Sequence, residues 1–171
     1  MKSAPWPRWV HILLQCSLIF VIVAFFLTVL GNFVLENKLL GVIGASSLGA
    51  TAFIVFVTKD SVAARARNVI GGYLITLLVS MAGYYLLTLI DPNASILAHE
   101  HITTIIAGLS MAIVVILMVT FRATHPPAAG FSIILIIAHW TLYNVLTLIA
   151  TLLLILLLRS ILDPWLIDLN N

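Results

Sequence analysis

Charge is what this sequence has least of. Only 14 of its 171 residues are charged, eight Lys or Arg against six Asp or Glu, or 8% where an ordinary soluble domain carries about 25%. With 63% apolar residues, there is too little polar surface to cover a water-soluble domain. The net charge of +2 and the lack of any large Lys/Arg cluster exclude a nucleic-acid partner. A lone cysteine, Cys16, excludes a disulfide scaffold, and its place in an apolar run reads as a buried, inert thiol. The sequence also lacks a nucleophile–base pair, a metal-ligand set and paired carboxylates. No catalytic residue, cofactor or metal is therefore expected.

What is present is a series of long uncharged runs. Residues 9–35, 39–58, 68–90 and 101–121 carry no charge over 27, 20, 23 and 21 positions, and 123–158 carries none over 36. A bilayer core of about 30 Å needs roughly 20 helical residues. Each of the first four runs fits one crossing, so the chain reads as an all-α polytopic membrane protein. The first run is longer than the apolar stretch of a cleaved signal peptide, and a bacterial inner membrane is the expected location.

The last run is too long for one crossing. As a straight helix it would measure about 54 Å and would need a tilt beyond the observed range of about 40°. A break is expected at Thr124-His125-Pro126-Pro127 or at the polar and aromatic cluster 139–144. Proline is unsuited to a helix interior and extends the residue before it, but it suits a first helical turn. The expectation is therefore an extended stretch at 123–127, a short helix starting near mid-membrane, a tight turn at 139–144, and a return helix. This gives six segments, about 10–35, 39–58, 68–90, 102–121, 123–138 and 142–160. With the N-terminus inside, seven Lys or Arg fall on the inner side and only Lys38 outside, which agrees with the positive-inside rule.

The second run opens with three Gly, two Ser and one Thr between Leu39 and Thr51. Two readings stay open: close packing through small residues, or a discontinuous helix whose second half begins near Gly49. Under the second reading, two units of helix, broken helix, helix follow one another. An odd number of segments per unit inverts the second, giving a 3+3 inverted repeat with a midplane site.

Three stretches resemble one family. Thr124-His125-Pro126-Pro127-Ala128-Ala129 looks like the signature of the HPP family of integral membrane proteins. Ser47-Leu48-Gly49-Ala50-Thr51-Ala52 and Arg67-Asn68-Val69-Ile70-Gly71-Gly72 resemble two further family segments, in the same order. The resemblance covers roughly 40–158. It implies transport of a small anion, with nitrite as the substrate associated with some plant and cyanobacterial members.

The candidate substrate-binding residues follow. A helix N-terminus presents unpaired N–H groups and partial positive charge, which suits an anion. Gly49 lets backbone approach a ligand. Ser46, Ser47, Thr51 and Thr124 offer hydroxyls, Pro126 fixes the backbone, and Ala50, Ala128 and Ala129 leave room. His125 can donate to an anion and couple its binding to a proton; the alternative is a His that only caps the short helix or bonds a carbonyl. Arg122 reads as an interfacial anchor or as part of an inner vestibule. Asn68 is expected to cap the third helix, and Gly71 and Gly72 to pack it against the second.

His99-Glu100-His101 is not a convincing metal site, because residues two apart do not share a helix face. His139 and Asn144 read as turn groups. His11 and Gln15 are four apart and could face a polar seam, though interfacial snorkelling also explains His11. Trp165 reads as an interfacial anchor. The leading function is a transporter or channel for a small monovalent oxyanion. A membrane-embedded enzyme and an accessory subunit without a site are the alternatives. The partners expected are the anion, the bilayer and further copies of the chain.

Overall fold

A computed structural model describes residues 6–31, 38–90, 100–137 and 142–170. Six helices follow in order: α1 (Arg8–Gly31), α2 (Lys38–Val57), α3 (Ala66–Ile90), α4 (Glu100–Thr120), α5 (Pro126–Ile137) and α6 (Leu142–Leu162). A short 3-10 turn at Val62–Ala64 precedes α3. Among the described residues, four stretches are long and apolar enough to cross a membrane: Arg8–Phe26, Ala66–Ile90, His101–Thr120 and Val145–Leu162. The outer surface is studded with exposed apolar side chains such as Phe20, Leu78, Leu89, Ile116 and Leu153. In water these would be an aggregation hazard; in a bilayer they face lipid. This is a multi-pass, all-helical membrane protein.

The 36-residue uncharged run is divided as expected. Helix α5 has 12 residues, about 18 Å at the usual rise, and α6 runs back the other way. The return is fixed by contacts at the far end of α6. Arg159 donates to the Lys59 carbonyl at 2.9 Å, His11 to the Trp165 carbonyl at 2.8 Å, and Leu169 N–H to the Val57 carbonyl at 2.9 Å. Both described ends of the chain therefore share one face, together with Arg8, Lys59, Arg65, Arg67, Arg122 and Arg159. The turn expected around His139 and Trp140 lies outside the described residues. Asn144 belongs to α6.

Helix α2 decides between the two readings of its small-residue stretch. It runs unbroken from Lys38 to Val57, with no second start near Gly49. The small residues serve packing instead. A Cβ on Gly44 would sit 3.6 Å from Phe131 of α5 and 3.7 Å from Phe26 of α1, so α2 wedges between those helices with Leu48, Ala52, Val55 and Phe56 fully buried. Thr51 returns its hydroxyl to the Ser47 carbonyl at 3.1 Å, a bond compatible with a continuous helix.

The main helix contacts place α1 on α2 and α6, α2 on α5 and α6, α3 on α4 and α5, and α4 on α5. Exchanging α1–α3 for α4–α6 maps this set onto itself, and α4 runs opposite to α1. An inverted 3+3 repeat requires that pattern.

Helix α5 lies parallel to α3, in register. Gly72 faces His125, Thr76 donates to the Ala128 carbonyl at 2.9 Å, Ser80 to the Ser132 carbonyl at 3.3 Å, and Gly83 faces Ile136. The register also corrects the depth expected for the short helix. Gly72 lies six residues into α3, about 9 Å from its start, so α5 begins nearer one membrane face than the midplane. Cys16 is exposed rather than buried, on the same outward side of α1 as Leu13 and Phe20.

Candidate functional site

The site is built where α2, α3 and the α4–α5 linker meet. Helix α4 ends in a Schellman cap: Ala123 N–H donates to the Met118 carbonyl at 2.8 Å and Arg122 N–H to the Val119 carbonyl at 3.1 Å. Arg122 takes the left-handed conformation at φ 52°, unusual for a side-chain-bearing residue. The chain then passes through Ala123, Thr124 and His125 without regular structure, and the following Pro126 disfavours helical geometry at His125.

Two glycines hold that linker against α3. A Cβ on Gly71 would meet the Ala123 Cβ at 2.9 Å, and one on Gly72 the His125 Cβ at 2.9 Å. This corrects the expectation that they pack α3 against α2. Asn68 is likewise not a cap: its side-chain amide donates to the Thr124 carbonyl at 3.2 Å and pins the linker.

His125 is fully buried. Its Nδ1 lies 2.9 Å from the Ala63 carbonyl, and its Nε2 lies 3.0 Å from Thr51 Oγ1. Tyr73 Oη is 2.8 Å from the same Thr51 oxygen, with the Ser47 side chain beside it. Ser47 donates to the Pro127 carbonyl at 2.6 Å. One imidazole and three hydroxyls from three elements thus form a connected node inside an apolar bundle. The Tyr73 ring stands 5.7 Å from the His125 ring and 5.9 Å from Phe131.

Donor accounting fixes the tautomer. A carbonyl only accepts, so Nδ1 carries a proton. In the neutral ring, Nε2 accepts from Thr51, and Thr51 accepts from Tyr73. In the imidazolium, Nε2–H donates to Thr51, whose single proton then turns to the Ser47 carbonyl. Thr51 is therefore a hydroxyl that can serve either protonation state without moving.

Of the residues expected to form the site, the structure assembles His125, Thr51 and Ser47. Thr124 contributes its carbonyl to Asn68, and Ala128 is buried with its carbonyl taken by Thr76. Gly49 faces α1, where a Cβ would meet Val23 Cγ2 at 3.3 Å. Ser46, Ala50, Pro126 and Arg122 are exposed.

The backbone cradle at a half-helix N-terminus is also corrected. Pro126 and Pro127 have no N–H to offer, and Ala128 N–H is bonded to the His125 carbonyl at 3.0 Å. With α2 continuous as well, donors for an anion must be side chains. Tyr73 was missed by sequence reasoning; a phenol directly after the Gly71-Gly72 pair was the available signal.

Other candidates are placed elsewhere. His11 and Gln15 are both fully buried and hold the C-terminal segment through the Trp165 and Ile167 carbonyls, so His11 does not snorkel. His101 is exposed at the start of α4, and His99 lies outside the described residues. Among the described residues, no three His, Cys, Asp or Glu gather as metal ligands.

The family described as HPP, transmembrane region, matches residues 4–162. Comparison with curated proteins and with solved structures gave no match. The family match takes in all six helices, the node and the His125-Pro126-Pro127 sequence itself, and the chain belongs to the HPP transmembrane family.

Proposed function

We propose that this protein carries a small monovalent anion, nitrite being the substrate that the family resemblance implies, across a bacterial inner membrane, and that it is a transporter or channel rather than an enzyme. The observation that supports this is the node: a fully buried imidazole joined to Thr51, Tyr73 and Ser47, in a bundle whose described acidic residues all lie at helix ends or in the segments outside the helices. Every member can donate a hydrogen bond, and none brings negative charge. An anion entering between His125 and Thr51 would accept from Nε2–H and the two neighbouring hydroxyls. Charge-assisted bonds of that kind are the strong ones, and they offset the cost of stripping water from the ion.

The cluster of Arg and Lys at the face shared by both ends supports a cytoplasmic N-terminus and would draw anions towards His125. A six-helix chain has little bulk to shield a pathway, which favours a homo-oligomer. A second reading rests on one observation: each polar atom of the node already has a protein partner, as a purely structural clamp would. Such a clamp suits an accessory subunit. The test is flux. Purified protein in liposomes should take up nitrite faster than empty vesicles and leave cations such as ammonium excluded. Cation uptake without anion flux, or no flux in well-inserted protein, would refute the proposal.

A further inference from the structure

A second polar feature lies apart from the node. A cleft of about 460 Å³ opens between the start of α3 and the last turns of α6, lined by Arg65, Ala66, Leu156, Arg159, Ser160 and Asp163. Helices α3 and α6 are not among the main packing pairs, so the cleft is a gap between neighbours. Its flanks are lipid-facing: Ile70 on α3 and Leu157 and Ile161 on α6 are exposed.

The cleft is cationic. Asp163 is paired with Lys59 at 3.5 Å, which leaves the two guanidinium charges uncancelled. Arg65 is exposed and has no side-chain partner among the described residues. Arg159 is partly buried; its Nη2 donates to the Lys59 carbonyl, but its Nη1 is enclosed with no acceptor. An enclosed N–H without an acceptor on a charged group is costly, and a negatively charged partner would relieve that cost. The Ala66 N–H, at the start of α3, adds a donor of the kind a helix leaves without an intrahelical partner.

We infer that this cleft binds the phosphate of an anionic phospholipid, held by Arg65, Arg159 and Ser160, with the glycerol and acyl chains lying on Leu156 and the lipid-facing flanks of α3 and α6. A lipid phosphate and free phosphate share the oxyanion chemistry. The apolar floor and the sideways opening into the bilayer favour the lipid. Basic pockets between helices at a membrane face are suited to such headgroups.

The experiment is native mass spectrometry of the full chain from micelles doped with equal phosphatidylglycerol and phosphatidylcholine. The wild type should retain one phosphatidylglycerol in clear preference to phosphatidylcholine. Arg65→Gln should weaken that retention about fivefold, the worth of one interfacial cation. Ala66→Leu, which fills the cleft without altering charge, should weaken it too. Equal retention of both lipids, or undiminished preference in both variants, overturns the inference. Full displacement of the lipid by millimolar inorganic phosphate would assign the cleft to a free anion and overturn the lipid reading.

Discussion

Replacing Gly72 with alanine tests how the linker positions His125. The new Cβ would lie 2.9 Å from the His125 Cβ and 3.3 Å from the Ala123 carbonyl oxygen. Carbon atoms rest at about 3.5–4.0 Å, so the linker must retreat from α3 by about 0.6–1.1 Å, the difference. His125 is held by bonds of 2.9 and 3.0 Å. A retreat of that size away from either partner would stretch that bond to about 3.5 Å or beyond, where a hydrogen bond is weak or lost. Overpacking of this kind costs about 1–3 kcal/mol. Thermal unfolding in detergent should show that loss, and nitrite uptake should fall with it. Gly108→Ala is the matched control, because nothing lies within 4 Å of the place its new methyl would take; a helical alanine there should be neutral or stabilising. If Gly72→Ala keeps wild-type stability and uptake, His125 is not held by contact with α3, and the geometry argued for the node is wrong.

Two other substitutions follow from the backbone. Arg122→Gly removes a left-handed side-chain-bearing residue, whose cost is about 1–2 kcal/mol, and thermal unfolding should rise accordingly; an unchanged or lower midpoint would mean that the Arg122 side chain makes up the strain. Gly49→Ala meets only the tip of Val23, which can turn aside, so the variant should insert normally and transport at close to the wild-type rate; loss of uptake in inserted protein would return Gly49 to the binding site.

The sequence was most informative where it broke a pattern. Uncharged runs reported the crossings, because the length of the bilayer core sets the length of each helix. The run from 123 to 158 was too long, and Pro126-Pro127 named the place where it divides. Composition alone could not separate a broken helix from a closely packed one. The glycines of α2 carry no mark that says whether they free the backbone or admit a neighbour, and Phe26 and Phe131 decided it. The same limit applied at the site. His125, Thr51 and Ser47 stood out as polar groups in apolar segments. Their meeting with Tyr73 depends on the parallel register of α5 on α3, a tertiary fact. The expected amide cradle failed for a local reason that was visible all along: proline has no N–H to give.

The most direct test of the node is nitrite uptake into liposomes against external pH, for wild type, His125→Ala and His125→Gln, each checked for insertion and folding. A bound anion favours the imidazolium, so binding takes up a proton and uptake should rise as pH falls through the histidine range. His125→Ala should weaken uptake and flatten that dependence. His125→Gln, which can still donate to the anion, should retain more uptake with no pH response. Identical profiles for the three proteins would contradict the account and leave His125 as a structural clamp.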